Sequence, residues 1–221
     1  MMIAADSILC IVLTCIGYAA VCFYYNTEKW KQRDFSVLKL SKNKIIFLCV
    51  AIVTSAVLIV LFNTLYDRNL ITQIKLLSLL LVILPNAAVD YRSQKMPNQF
   101  MLAGLGIRMI LFIVEACIDF QGFLSMALDA FIGAAVIGVF FFLLLLIFKN
   151  SIGMGDVKMF ALMGLYQGLW GAVNSVFFSL LTCFLISIIL LITKRKKRKD
   201  TISFGPSIFI GTFIAMCLSG M

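Results

Sequence analysis

Two carboxylates in this chain stand where an acid is hard to keep. Asp90 closes one strongly apolar stretch in LPNAAVDYRSQKMPN, and Asp156 opens another in GMGDVK. Two carboxylates that share a site do not both ionise easily, so one holds a proton while the other carries charge. A water held between them can then be activated for attack on a peptide carbonyl, which is aspartic-protease chemistry. The helix ends suggest a division of roles. Asp156, at a helix N-terminus, is favoured as the ionised starting base, and Asp90, at a helix C-terminus, as the proton holder that polarises the carbonyl. Only the pair has defined titration steps, and the roles exchange during turnover.

Glycines frame the second acid. Gly153 and Gly155 lack side chains, so the backbone before Asp156 can turn sharply and a neighbour or substrate can come close. Gly164, Gly168 and Gly171 continue at helical spacing, a smooth stripe suited to close packing of another helix.

The elements that must position these acids are membrane helices. Of 221 residues, 62% are hydrophobic and 13% charged, with a mean hydropathy of +1.07, whereas soluble domains carry about a quarter charged residues. Apolar runs close to the roughly 20 residues needed to cross a bilayer recur along the chain. The runs are continuous instead of alternating, which selects helices over a closed barrel. The reading is all-α: a polytopic protein with about eight spans at residues 7–25, 44–66, 70–90, 99–117, 124–148, 157–172, 173–193 and 205–220. Residues 1–221 form one integral domain, with no linker or clear repeat. The boundary between the sixth and seventh spans rests on Tyr166, Gln167, Gly168 and Trp170 alone.

Charge sets the orientation. Sixteen of the 19 basic residues follow spans one, three, five and seven: Lys29, Lys31, Arg33, Lys39, Lys42 and Lys44; Arg92 and Lys95; Lys149 and Lys158; and the six of KRKKRK at 194–199. The positive-inside rule makes these segments cytoplasmic and both termini external. Arg68 and the acids Asp6, Asp67, Glu115, Asp119 and Asp129 fall on the other side. Asp90 and Asp156 then share the cytoplasmic edge, where intramembrane acids persist by facing a bundle interior or a partner. The basic run 194–200 reads as a helix anchor that attracts anionic lipid, in preference to a nucleic-acid site. The polar stretch 26–43 has the composition of a short interfacial helix.

The seven cysteines (Cys10, Cys15, Cys22, Cys49, Cys117, Cys183 and Cys217) lie in or beside apolar runs with no Cys-x-x-Cys pair, as small buried hydrophobes do. The chain has no histidine, and neither a metal nor a cofactor is expected.

At these motifs the chain resembles the type IV prepilin peptidases and their archaeal preflagellin-peptidase relatives. DYRSQKMPN is similar to that family's Asp followed by a hydrophobic-Pro-Asn turn, GMGDVKMFALMGLYQG to its Gly-x-Gly-Asp-Val-Lys helix, and ISFGPSIFIG to its C-terminal Pro-Phe-Gly-Pro segment. The resemblance covers about residues 70–220. It implies an aspartic endopeptidase at the cytoplasmic face of the cell membrane, which removes the short basic leader of prepilin or pseudopilin precursors after a glycine. The catalytic residues carry over to Asp90 and Asp156. Pro97 and Asn98 would shape the turn after Asp90, and Lys158 would hold substrate, tune Asp156 or anchor the helix at the interface.

Two departures stand out. Ser203 occupies a place where the family often has proline, which alters the turn before Gly205 and Pro206 and is expected to leave both acids untouched. The loop 26–43 has no cysteine, whereas the larger bacterial members carry paired Cys-x-x-Cys motifs there and also N-methylate the product. Cleavage without methylation is expected. A proton- or cation-coupled transporter and a non-catalytic scaffold of a pilus or secretion assembly are the rival readings. Transporter sites, however, lie near the membrane midplane within repeated halves, whereas these acids lie at one edge.

Overall fold

The computed structural model describes residues 42–66, 68–94, 96–148, 153–194 and 203–219. The first expected span, nearly all of the 26–43 loop and all but Lys194 of the basic run lie outside the described residues. Among them the structure is helical throughout, with no strand. The chain divides into two compact units, Met1–Arg68 and Asn69–Met221.

In the first unit, α1 spans Lys42–Thr64. Its hydroxyls turn inward onto their own helix: Thr54 Oγ1 donates to the Val50 carbonyl at 2.7 Å, and Ser55 Oγ to that of Ala51 at 2.7 Å. Back-bonding of this kind satisfies polar groups where no water is available.

The second unit holds α2 (Leu70–Ser93), α3 (Asn98–Ile118), α4 (Phe120–Ile147), α5 (Met154–Ile192) and α6 (Gly205–Ser219). Leu70–Tyr91, Asn98–Ile118, Phe120–Ile147 and Met154–Ile192 are each long and apolar enough to cross a membrane. The chain is thus a helical protein of membrane type, and every element boundary lies within about four residues of the expected spans, except one.

That exception is α5. At 1.5 Å per residue, 39 residues would make a rod of about 58 Å, nearly twice the hydrocarbon thickness. The helix is interrupted at Gly168 (φ 72°, ψ −174°), a conformation essentially reserved for glycine. The sixth and seventh expected spans are the two segments of this broken helix, with the boundary at Gly168 instead of residue 172. The glycine stripe read through Gly171 is therefore not one continuous helical face.

Contacts show that the second segment leaves the axis of the first. The Phe160 ring lies 5.5 Å from that of Phe204, and the backbone at Gly211 lies against Ser179. The α6 stretch joining these contacts is about 10 Å long, whereas a straight α5 would place Ser179 about 28 Å beyond Phe160.

Packing is set by small residues, because lipid removes most of the hydrophobic drive between helices and leaves close approach and dispersion to hold them. The first segment of α5 runs antiparallel to α4: Phe141 stacks on Phe160 at 4.1 Å, Gly138 faces Ala161, and Gly133 faces Gly164 and Gly168. A methyl group on Gly164 would lie 2.5 Å from the Gly133 carbonyl carbon, so neither glycine has room for a side chain.

Candidate active site

The C-terminal turn of α2 and the N-terminal turns of α3, α5 and α6 meet at one end of the second unit. Asp90 sits in the last turn of α2, where its own carbonyl accepts the Gln94 N–H at 2.8 Å; Gln94 takes the left-handed conformation that stops the helix. Five residues earlier, Pro85 lies inside α2 and removes one helix hydrogen bond. The Asp90 side chain is buried, 6% exposed, and its Oδ2 accepts the backbone N–H of Gly205 at 2.8 Å.

Gly205 is the first residue of α6, so this N–H is one of the donors that a helix leaves unsatisfied at its start. Asp90 caps α6 from a different helix. This corrects two expectations. Asp90 lies at the C-terminus of its own helix but at the positive N-terminus of another, and the Ser203–Pro206 turn does reach one of the acids. It also explains Gly205: a methyl group there would lie 2.9 Å from both Ala87 Cα and Asp90 Cβ.

Asp156 occupies the third position of α5, with Gly153 as the N-cap residue. Its Oδ2 accepts the Gly153 N–H at 3.1 Å, the short-range carboxylate cap that satisfies a free donor at a helix start. Gly153 has ordinary extended backbone (φ −78°, ψ 144°), so no sharp turn demands a glycine there. A methyl group on it would instead crowd the Asp156 carboxylate at 3.1 Å. Gly155 serves close approach, since a methyl group there would stand 2.8 Å from Met96 Cβ in the α2–α3 connection. Pro97 is the buried N-cap residue of α3 in that same connection.

Asp90 and Asp156 come to the same end of the unit: Phe204, next to the Gly205 N–H that Asp90 accepts, packs its ring on Phe160, one turn on from Asp156. Phe160, one turn on from Asp156 and fully buried, stacks on Phe141 and lies tilted against Phe204 as an apolar floor. The arrangement is two carboxylates, Asp156 with the backbone N–H of Gly153 and Asp90 with those of Gly205 and Phe204, above an aromatic layer. Lys158 is not part of it. Two residues on from Asp156 and about 200° around the helix, its ammonium donates to Asn98 Oδ1 at 3.0 Å. Among the described residues no group of histidine, cysteine and carboxylate side chains could hold a metal ion.

A profile of the Type IV leader peptidase family matches residues 74–191, more than half of the chain and a stretch that contains both acids. The chain belongs to the type IV leader peptidase family. No curated protein and no solved structure matches it. Membership makes this leader peptidase relative a membrane protease in general terms.

Sequence reasoning missed the charged groups around the break in α5. Arg108, in the middle of α3 and fully buried, pairs with Glu115 at 2.9 Å and donates from Nε to the Leu165 carbonyl at 3.0 Å. Its guanidinium lies 3.8 Å above the Phe112 ring. On the far side of the break, Asp129 Oδ1 accepts the Leu169 N–H at 3.3 Å. A cation thus sits on the last carbonyls of the first segment and an anion on the first N–H of the second, each matched to the local helix dipole. The available signal was an arginine and a glutamate two turns apart on one face of an apolar span. Glu115, expected at the outer boundary, is buried within the helix packing.

Proposed function

We propose that this protein is a membrane aspartic endopeptidase that removes the leader peptide of type IV prepilin or pseudopilin precursors at the cytoplasmic face of the cell membrane, with Asp90 and Asp156 as its catalytic pair. The observation that carries the reading is where the pair lies: two acids far apart in sequence, Asp90 on the N–H that starts α6 and Asp156 in the first turn of α5, at the same end of the second unit. Family membership, the leader-peptidase description and the distribution of basic residues support the substrate class and the orientation, with both termini external.

The chemistry follows from the donors. One carboxylate activates a water and the other, protonated, polarises the scissile carbonyl; the proton changes hands as the amine leaves. Because both carboxylates receive an N–H from a helix start, helix polarity no longer selects which of them begins as the base. Gly153, Gly155 and Pro97 fix the backbone around the pair. Neither a cofactor nor a metal takes part in this scheme. Cleavage proceeds without N-methylation, in keeping with the cysteine-free 26–43 loop.

Purified protein incubated with a prepilin-type precursor tests the proposal. Cleavage that disappears in Asp90→Asn and in Asp156→Asn, with both variants folded, is the expected result; cleavage that survives both changes overturns it. A methylated mature N-terminus produced by this protein alone would overturn the single-activity part.

A further inference from the structure

Lys158 and Asn98 point away from the acids, toward a crevice that the proposed catalysis does not use. Near the Asp119 connection α3 and α4 are packed together, with Phe112 against Phe123 and Phe131 at 5.9 and 5.8 Å. Toward the end that carries the acids, a wedge of about 490 Å³ lies between α3 and the first segment of α5, with Ala134 of α4 at its edge.

Leu102, Leu105, Leu162 and Leu165 line its length, and Asn98 with Lys158 forms its mouth. Leu102 and Leu105 are 66% and 39% exposed. From Lys158 to Leu165 the wedge runs about 10 Å along α5, and it begins at the first turn of the span, where a bilayer places its headgroups.

Bilayer hydrocarbon fills an apolar crevice of this kind when it opens sideways. What distinguishes this crevice is the ammonium at its mouth. Lys158 is exposed and gives one hydrogen bond to Asn98; an ammonium has three donors, so others remain for an anion at headgroup level. A peptide substrate is the less suited occupant, because the wedge lies on the face of α5 about 200° around from Asp156.

We infer that the α3–α5 wedge is a binding site for an anionic glycerophospholipid, with one acyl chain along Leu102, Leu105 and Leu162 and the phosphate on Lys158. The site is separate from the basic run at 194–199, and the inference does not depend on the peptidase reading. A lipid held there would fill the space between α3 and α5 and support the α3 start, whose Met101 packs on Gly155.

Photolabelling of the intact protein in vesicles tests this. The probe is a phosphatidylglycerol carrying a diazirine in one acyl chain, diluted into phosphatidylcholine, with labelled peptides mapped by mass spectrometry. The expected result is labelling at Leu102, Leu105 and Leu162 several-fold above that at the lipid-exposed Phe140 of α4, falling about fivefold in Lys158→Gln, the share of one basic residue near the surface. Leu105→Trp, which fills the wedge and leaves the charge, lowers the same labelling. Even labelling of all exposed apolar residues, equal labelling by a phosphatidylcholine analogue, or no change in either variant overturns the inference. Loss of wedge labelling on addition of a prepilin-type precursor assigns the wedge to a polypeptide and also overturns it. Loss on addition of millimolar inorganic phosphate shows a free-anion site and overturns the lipid assignment as well.

Discussion

The second unit carries charge in two places, and it treats them in opposite ways. At one end Asp90 and Asp156, two carboxyl groups, share a cluster of helix ends and receive only backbone N–H groups. Around Gly168, Arg108, Glu115 and Asp129 form a set in which each charge meets an opposite charge or an opposite helix end. Opposed charges in a low-dielectric interior neutralise one another and hold a shape; like charges left partly compensated store the reactivity that a catalytic pair needs. The fold therefore uses its polar groups for order at the break and leaves tension at the acids.

The largest expected effect separates the two regions outright. Asp90→Asn or Asp156→Asn should lower precursor cleavage by about a thousandfold or more, in the range of positioned acid–base groups, while the unfolding temperature in detergent stays level or rises, because a neutral amide avoids the cost of burying a carboxylate. A parallel loss of stability would show that the acids are structural.

Next comes Arg108→Met, which strands Glu115 in the interior and should destabilise by about 3 to 5 kcal/mol. The double change Arg108→Met with Glu115→Met should recover most of that loss, since a well-packed apolar pair often replaces a buried ion pair at little cost. A double variant no better than the single one would mean that the Leu165 cap, and not the ion pair, carries the stability. Gly205→Ala should then shift Asp90 through its contacts with Ala87 and Asp90. About a hundredfold drop in kcat with a smaller change in stability is expected, from displacement of one preorganised donor. The smallest effect belongs to Asp129→Asn, which keeps the acceptor for Leu169 and removes only the charge; about 0.5 kcal/mol is expected in denaturant titration.

Much of this was legible beforehand. Hydropathy and the roughly 20-residue scale of a bilayer fix the helical class and the ends of α2, α3, α4 and α6, because lipid leaves a backbone few alternatives. The two acids were legible because a carboxylate at the edge of an apolar run has a cost that needs a reason. Gly168 was visible only as a hint among Tyr166, Gln167 and Trp170, since glycine inside an apolar run serves packing as readily as it serves a break. Arg108 went unremarked because the Leu165 carbonyl on α5, its partner outside its own helix, is brought to it by packing.

By itself the sequence determined which segments must be helices and which two residues were expensive enough to need a purpose; both follow from the cost of placing a polar group in hydrocarbon, a property of each segment alone. Only the tertiary structure decided that α6 gives its first N–H to Asp90, that Lys158 meets Asn98, and that opposite charges close the break at Gly168. Each of these depends on which helix ends and faces meet, and that is a property of the packed helices together.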